Sequence, residues 1–103
     1  MTDPLSSAMQ YSHEHQARFL DELTEFVAIP SVSTDPAHKA DMRLAAEWVA
    51  AQLRNLDMQP VQIIPTAGHP LVYGESLPFG KSRPTVLVYG HYDVQPAEPL
   101  DLW

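Results

Sequence analysis

The run Val86-Leu87-Val88-Tyr89, in the stretch TVLVYGHYDVQPAEPLDLW, is apolar on consecutive residues without alternation. A strand with that pattern buries both faces, as in the middle of a sheet covered by helices on either side. The run therefore predicts an α/β layering. It ends at Gly90, which permits a turn or a close backbone approach. His91 and Asp93 then fall just beyond the expected strand's carboxyl end, where open α/β sheets bind ligands.

The preceding residues predict two helices and two shorter strands. Residues 1–11 are small, polar and proline-bearing and read as a frayed terminus, leaving residues 12–103 as the structured unit. With Ser12 as N-cap, Leu20, Leu23 and Val27, flanked by Phe19 and Phe26, recur at helical spacing. Pro30 disfavours helix at its predecessor, so this helix ends near Ile29 and IPSVSTDP follows as a loop. A second helix starts at Asp35 as N-cap with Pro36 in the first helical position. Its apolar stripe is Met42, Ala45, Ala46, Val49, Leu53 and Leu56, opposite Lys39, Glu47 and Arg54. VQII and LVY, bounded by Pro60, Pro65, Pro70 and Gly74, read as strands of a meander or hairpin. ESLPFGKSRP is a turn-rich loop, and TVLVY is the third strand. No internal repeat or linker divides the chain.

Charge narrows the partners. Thirteen acidic and six basic residues leave a net charge of −7, and the basic residues are scattered. Such a surface repels a phosphate backbone, so no nucleic-acid partner is expected. No apolar run approaches the roughly 20 residues that span a bilayer, so no membrane partner is expected either. MTDPLSSAMQ has neither a basic nor an apolar segment of a secretory signal, and the expected compartment is cytoplasmic. The absence of cysteine removes disulfides and thiolate metal sites.

If the chain stays extended through Tyr92, the side chains of His91 and Asp93 point to the same side. Neutral imidazole binds zinc well, and a carboxylate accepting its other ring N–H fixes the tautomer. The tripeptide alone is common; its place after an apolar strand strengthens the metal reading but leaves an ordinary surface pair open. The other polar residues read as structural. His13 and His15 do not share a helix face. His38 and His69 lie in loop or helix-start positions and are expected at the surface, and Asp101 is a turn or capping residue. Ser31 and Ser33 lack the GxSxG surroundings of a nucleophile and support the loop after the first helix. Trp48 and Tyr89 are expected in the core.

TVLVYGHYDVQPAEPLDLW resembles the first metal-binding segment of the dinuclear zinc hydrolases that include aminoacylases, acetylornithine deacetylase, succinyl-diaminopimelate desuccinylase and carnosine dipeptidase. FVAIPSVS resembles the end of that family's first helix and DMRLAAEWVAAQLRNLDM its second, in the same order along the chain. The form Tyr92-Asp93-Val94-Gln95-Pro96 is nearer the dipeptidase branch. The resemblance implies a three-layer α/β/α catalytic domain with a mixed central sheet, of which the chain is the incomplete amino-terminal portion: two helices, then about three strands. It makes His91 a ligand to one of two zinc ions, with cobalt or manganese as alternatives, and Asp93 the catalytic aspartate that holds the histidine ring. The implied activity is metal-assisted hydrolysis of a peptide or amide bond in dipeptides or N-acyl amino acids, by a full-length enzyme expected to be a homodimer. In that family the remaining ligands and the general-base glutamate follow later in the sequence, so the 103-residue chain by itself is expected to be inactive and to bind zinc weakly.

Two other readings remain. A serine-type α/β hydrolase shares the strand-end geometry but requires an elbow serine. A non-catalytic binding or scaffold module would keep the architecture without the chemistry.

Overall fold

The computed structural model of the protein describes residues 3–76 and 82–103. Its first helix, α1 (Pro4–Glu14), begins where the sequence suggested a frayed end. The reason is an Asp-Pro start: the Asp3 side chain accepts from the Ser6 N–H and hydroxyl at 3.0 and 2.7 Å, and Pro4 fills the first turn. This is the signal correctly read at Asp35-Pro36. Ser12 is accordingly interior to α1 rather than a cap.

The break comes at His15, where φ is −112° and ψ is 16°. There His15 Nδ1 lies 2.8 Å from the Tyr11 carbonyl, and the Tyr11 and His15 rings stack with centroids 4.0 Å apart. Helix α2 (Gln16–Val27) follows at once, and the chain leaves it at Ala28 and Ile29, ahead of Pro30, as expected. Leu20, Leu23 and Val27 form an apolar face on α2 that remains more than half exposed. Phe26 is half-buried and stacks on Trp48 with centroids 4.6 Å apart, while Trp48 Nε1 donates to Glu25.

Asp35 caps a single 3₁₀ turn, Pro36–His38, through the Ala37 N–H, and α3 (Lys39–Asn55) continues from it. Met42, Ala45, Ala46 and Ala50 are the buried face of α3 and most of the hydrophobic core, which Val32 completes. Leu56, read as part of this stripe, is 71% exposed because it has already passed the last helical residue. The helix stops by a Schellman arrangement: the Asp57 N–H donates to Arg54 O, the Met58 N–H donates to Leu53 O, and Asp57 takes a left-handed φ of 59°.

Strands β1 (Val61–Ile64) and β2 (Leu71–Gly74) pair antiparallel as the expected hairpin, with Val61 opposite Gly74 and Ile64 opposite Leu71. Alternate residues turn one face of the hairpin onto α3. A Cβ at Gly74 would lie 3.0 Å from Leu53 Cδ1, so a side chain there would make Leu53 shift by a few tenths of an ångström. In the connecting loop the Thr66 hydroxyl donates to His69 O and accepts from the Gly68 N–H.

The third strand does not form. Residues 84–90 have no regular structure, and Val86, Leu87, Val88 and Tyr89 are 80–89% exposed. A strand needs a neighbour for its backbone N–H and C=O groups. Among the described residues the only sheet is the hairpin, which does not take this segment up. Tyr89 is therefore not a core residue here. The expected loop ESLPFGKSRP lies partly outside the described residues, which omit 77–81. A last 3₁₀ turn, Leu100–Leu102, contains Asp101. No helix among the described residues is long and apolar enough to cross a membrane.

Candidate functional site

With no strand beneath it, the His91–Asp93 segment is held by the loop after α2. Val94 forms an isolated parallel bridge with Val32, and its N–H donates to Ser31 O at 2.9 Å. Ser31, only 1% exposed, also donates from its hydroxyl to Tyr92 O at 2.9 Å. The hairpin loop adds a second support, since the Tyr92 hydroxyl donates to Pro70 O at 2.6 Å. The strand-end placement inferred from sequence is thus replaced by a ledge at Ser31–Ser33.

On this ledge the two candidate residues meet. His91 Nδ1 lies 2.8 Å from Asp93 Oδ1, and the Ser33 hydroxyl donates to Asp93 Oδ2 at 2.5 Å. Both contacts hold the Asp93 carboxyl below its ordinary pKa, the Ser33 hydrogen bond contributing most and His91 next. An ionised carboxylate only accepts hydrogen bonds, so the shared proton sits on His91 Nδ1. Nε2 of the neutral ring then carries the lone pair. The His91 side chain is 77% exposed, which leaves that lone pair open to an incoming ligand.

Tyr92, between them, has its hydroxyl pKa raised, first by burial and then by the Asp93 charge, against an opposing effect of Arg43. The phenol therefore stays protonated and keeps donating to Pro70 O. His69, expected at the surface, is half-buried, and its Nε2 lies 2.8 Å from Ser33 O. His38 is likewise half-buried and lies 2.8 Å from Asp41 Oδ2. Neither joins the pair as a ligand. The supporting roles of Ser31, Ser33 and His69 were missed by the sequence reading, which gave the serines only a local part in the loop.

The pair fits a divalent metal as one imidazole ligand with its orienting carboxylate. Among the described residues no group of three His, Asp or Glu side chains gathers to complete a coordination sphere.

No protein-family profile matches the chain. Individual proteins do. The Cys-Gly metallodipeptidase DUG1 of Saccharomyces cerevisiae is 33% identical over 114 residues, an alignment that takes in 100% of this chain and 24% of the yeast protein. The Beta-Ala-His dipeptidase of Mus musculus is 34% identical over 111 residues, 96% of this chain and 22% of its own length. The solved structure of the dipeptidase Dug1p from S. cerevisiae superposes with a TM-score of 0.83 at 29% identity, over 100% of this chain and 24% of that one.

The chain is homologous to metallodipeptidases. It aligns with their amino-terminal part and spans about a quarter of the length of the relatives it matches. The metallodipeptidase likeness covers the whole chain, so the ledge and the hairpin loop lie within the region that superposes on Dug1p.

Proposed function

We propose that the chain supplies the first metal ligand of a metal-dependent dipeptidase, with His91 as ligand and Asp93 as the catalytic aspartate that orients it. The observation carrying this reading is the His91–Asp93 contact of 2.8 Å on an exposed imidazole, in a chain whose relatives are metallodipeptidases. Asp93 accepts from Nδ1, fixes the ring and raises its basicity, and so presents Nε2 to a metal. Two bound zinc ions, with cobalt or manganese as alternatives, would supply an activated water and polarise the scissile carbonyl.

The substrate class is a dipeptide or N-acyl amino acid. The full-length enzyme has a three-layer α/β/α domain with a mixed sheet and is a cytoplasmic homodimer with no nucleic-acid or membrane partner. A catalytic zinc site takes about three protein ligands. The described residues offer one recognisable ligand, and by itself the 103-residue chain binds metal weakly and turns nothing over.

The test compares zinc binding by calorimetry and dipeptide hydrolysis for two polypeptides: the 103-residue chain, and one of the relatives' full length that begins with it. Hydrolysis is expected in the long polypeptide alone, abolished by a chelator and by His91→Ala. Tight binding or turnover by the short chain, or chelator-insensitive hydrolysis by the long one, overturns the reading.

A further inference from the structure

The geometry points to Ser33 as a positioning residue for the His91–Asp93 pair, an inference that rests on the proposed function and deepens it. Asp93 has one partner on each carboxylate oxygen: Ser33 Oγ at 2.5 Å on Oδ2 and His91 Nδ1 at 2.8 Å on Oδ1. The torsion that turns a carboxylate about its Cβ–Cγ bond is broad and weakly restrained. A hydroxyl bound to Oδ2 removes that freedom and keeps Oδ1 facing the imidazole. Ser33 acts through Asp93, whose Oδ2 its hydroxyl meets.

Ser33 is fixed from the far side as well. Its carbonyl is met by His69 Nε2 at 2.8 Å, and a carbonyl only accepts, so Nε2 of His69 carries the proton. The residue before it, Val32, bridges to Val94. The hairpin loop therefore reaches the pair by two routes, through His69 to Ser33 and through Pro70 to Tyr92. A serine that merely closed the loop after α2 would spend its hydroxyl on that loop. Instead it crosses 60 positions of sequence to the one carboxylate that meets His91.

The consequence is a defined tautomer: Ser33 holds Asp93, Asp93 holds the proton on His91 Nδ1, and Nε2 is left as the donor atom. The test is ¹⁵N NMR of the His91 ring in the 103-residue chain at pH 8, where chemical shifts of the two ring nitrogens report the tautomer ratio. In the unsubstituted protein the Nδ1-protonated form dominates. Ser33→Ala lowers its ratio to the Nε2-protonated form by about fivefold, the net worth of one hydrogen bond. Ser33→Thr, which keeps the hydroxyl, restores the ratio.

Asp93→Asn separates this inference from the functional reading beneath it. If Asp93→Asn shifts the ratio while a folded Ser33→Ala does not, the positioning role is overturned and the pair stands. If Asp93→Asn also leaves the ratio unchanged, the pair itself is overturned, and the metal-ligand reading with it. Should Ser33→Ala fail to fold, Ser33→Cys replaces it, being similar in size and a much weaker donor. An unchanged ratio in Ser33→Cys overturns the inference, and a reduced one supports it.

Discussion

Asp93 shows how a single side chain gathers its role from several places in the chain. Its ionised form accepts from both Ser33 and His91, and its carboxyl accordingly titrates below the ordinary value of about 3.9. A group with a depressed folded pKa contributes stability that is fully present above the unfolded value and lost as pH falls through the folded one. The docking of residues 91–94 on the Ser31–Ser33 ledge is therefore expected to be intact above about pH 4 and to loosen below it. Amide shifts of Val94 followed through an acid titration check this, and in Asp93→Asn the acid step disappears. His91 and Asp93 were legible in the sequence because they are two apart and follow an apolar run. Ser33 was not, because its partner lies 60 positions away and no local pattern marks it.

At the scale of elements, α3 illustrates both the strength and the blind spot of local patterns. Buried Met42, Ala45 and Ala46 follow from helical spacing, whereas Ala50 is buried outside the expected stripe and Val49 and Leu53 within it are half-buried; the Asp-Pro signal marks the 3₁₀ turn that leads into the helix. The C-terminal stop of α3 follows from no such signal, because the left-handed position is held by Asp57 instead of the glycine that usually marks it. Asp tolerates that conformation through its short polar side chain, whereas alanine meets its full steric cost. Asp57→Ala is expected to lower stability by about 1 kcal/mol, and Asp57→Gly to leave it unchanged or raise it. Urea titration of the three proteins measures the difference. The same local logic failed in the opposite direction at residues 85–89, where apolar character predicted a buried strand. Apolar side chains favour such a strand only when neighbours exist to bond its backbone and cover its faces.

For the molecule as a whole, burial is small for the length of chain. It exposes 8750 Å², against roughly 5,800 Å² expected from the size scaling of folded monomers. Its radius of gyration is 16.8 Å, against about 13 Å for a 100-residue domain. Among the described residues the buried hydrophobic side chains number five, three of them alanines, while Leu20, Leu23, Val27, Leu87, Val88 and Trp103 are each at least 55% exposed. Hydrophobic stabilisation scales with the apolar area removed from water, so little of it is realised here. The 103-residue chain is expected to bind anilinonaphthalene sulfonate at these exposed faces and to unfold at a low urea concentration. A high urea midpoint with no dye binding would show that the apolar faces are covered.

What the sequence determined by itself is what depends on neighbours within a few residues: the Asp-Pro turn that leads into α3, the β1–β2 hairpin between prolines, the exit from α2 before Pro30, and the two-residue spacing of His91 and Asp93. The tertiary structure alone decided that Ser31, Val32 and Ser33 form the ledge for that pair, that His69 and Tyr92 tie the hairpin loop to it, and that residues 85–89 stay unpaired. The division has a physical cause. Local spacing sets which side chains share a face within one element, but a contact across 60 positions forms only when the intervening chain closes upon it, and no short stretch of sequence records that closure.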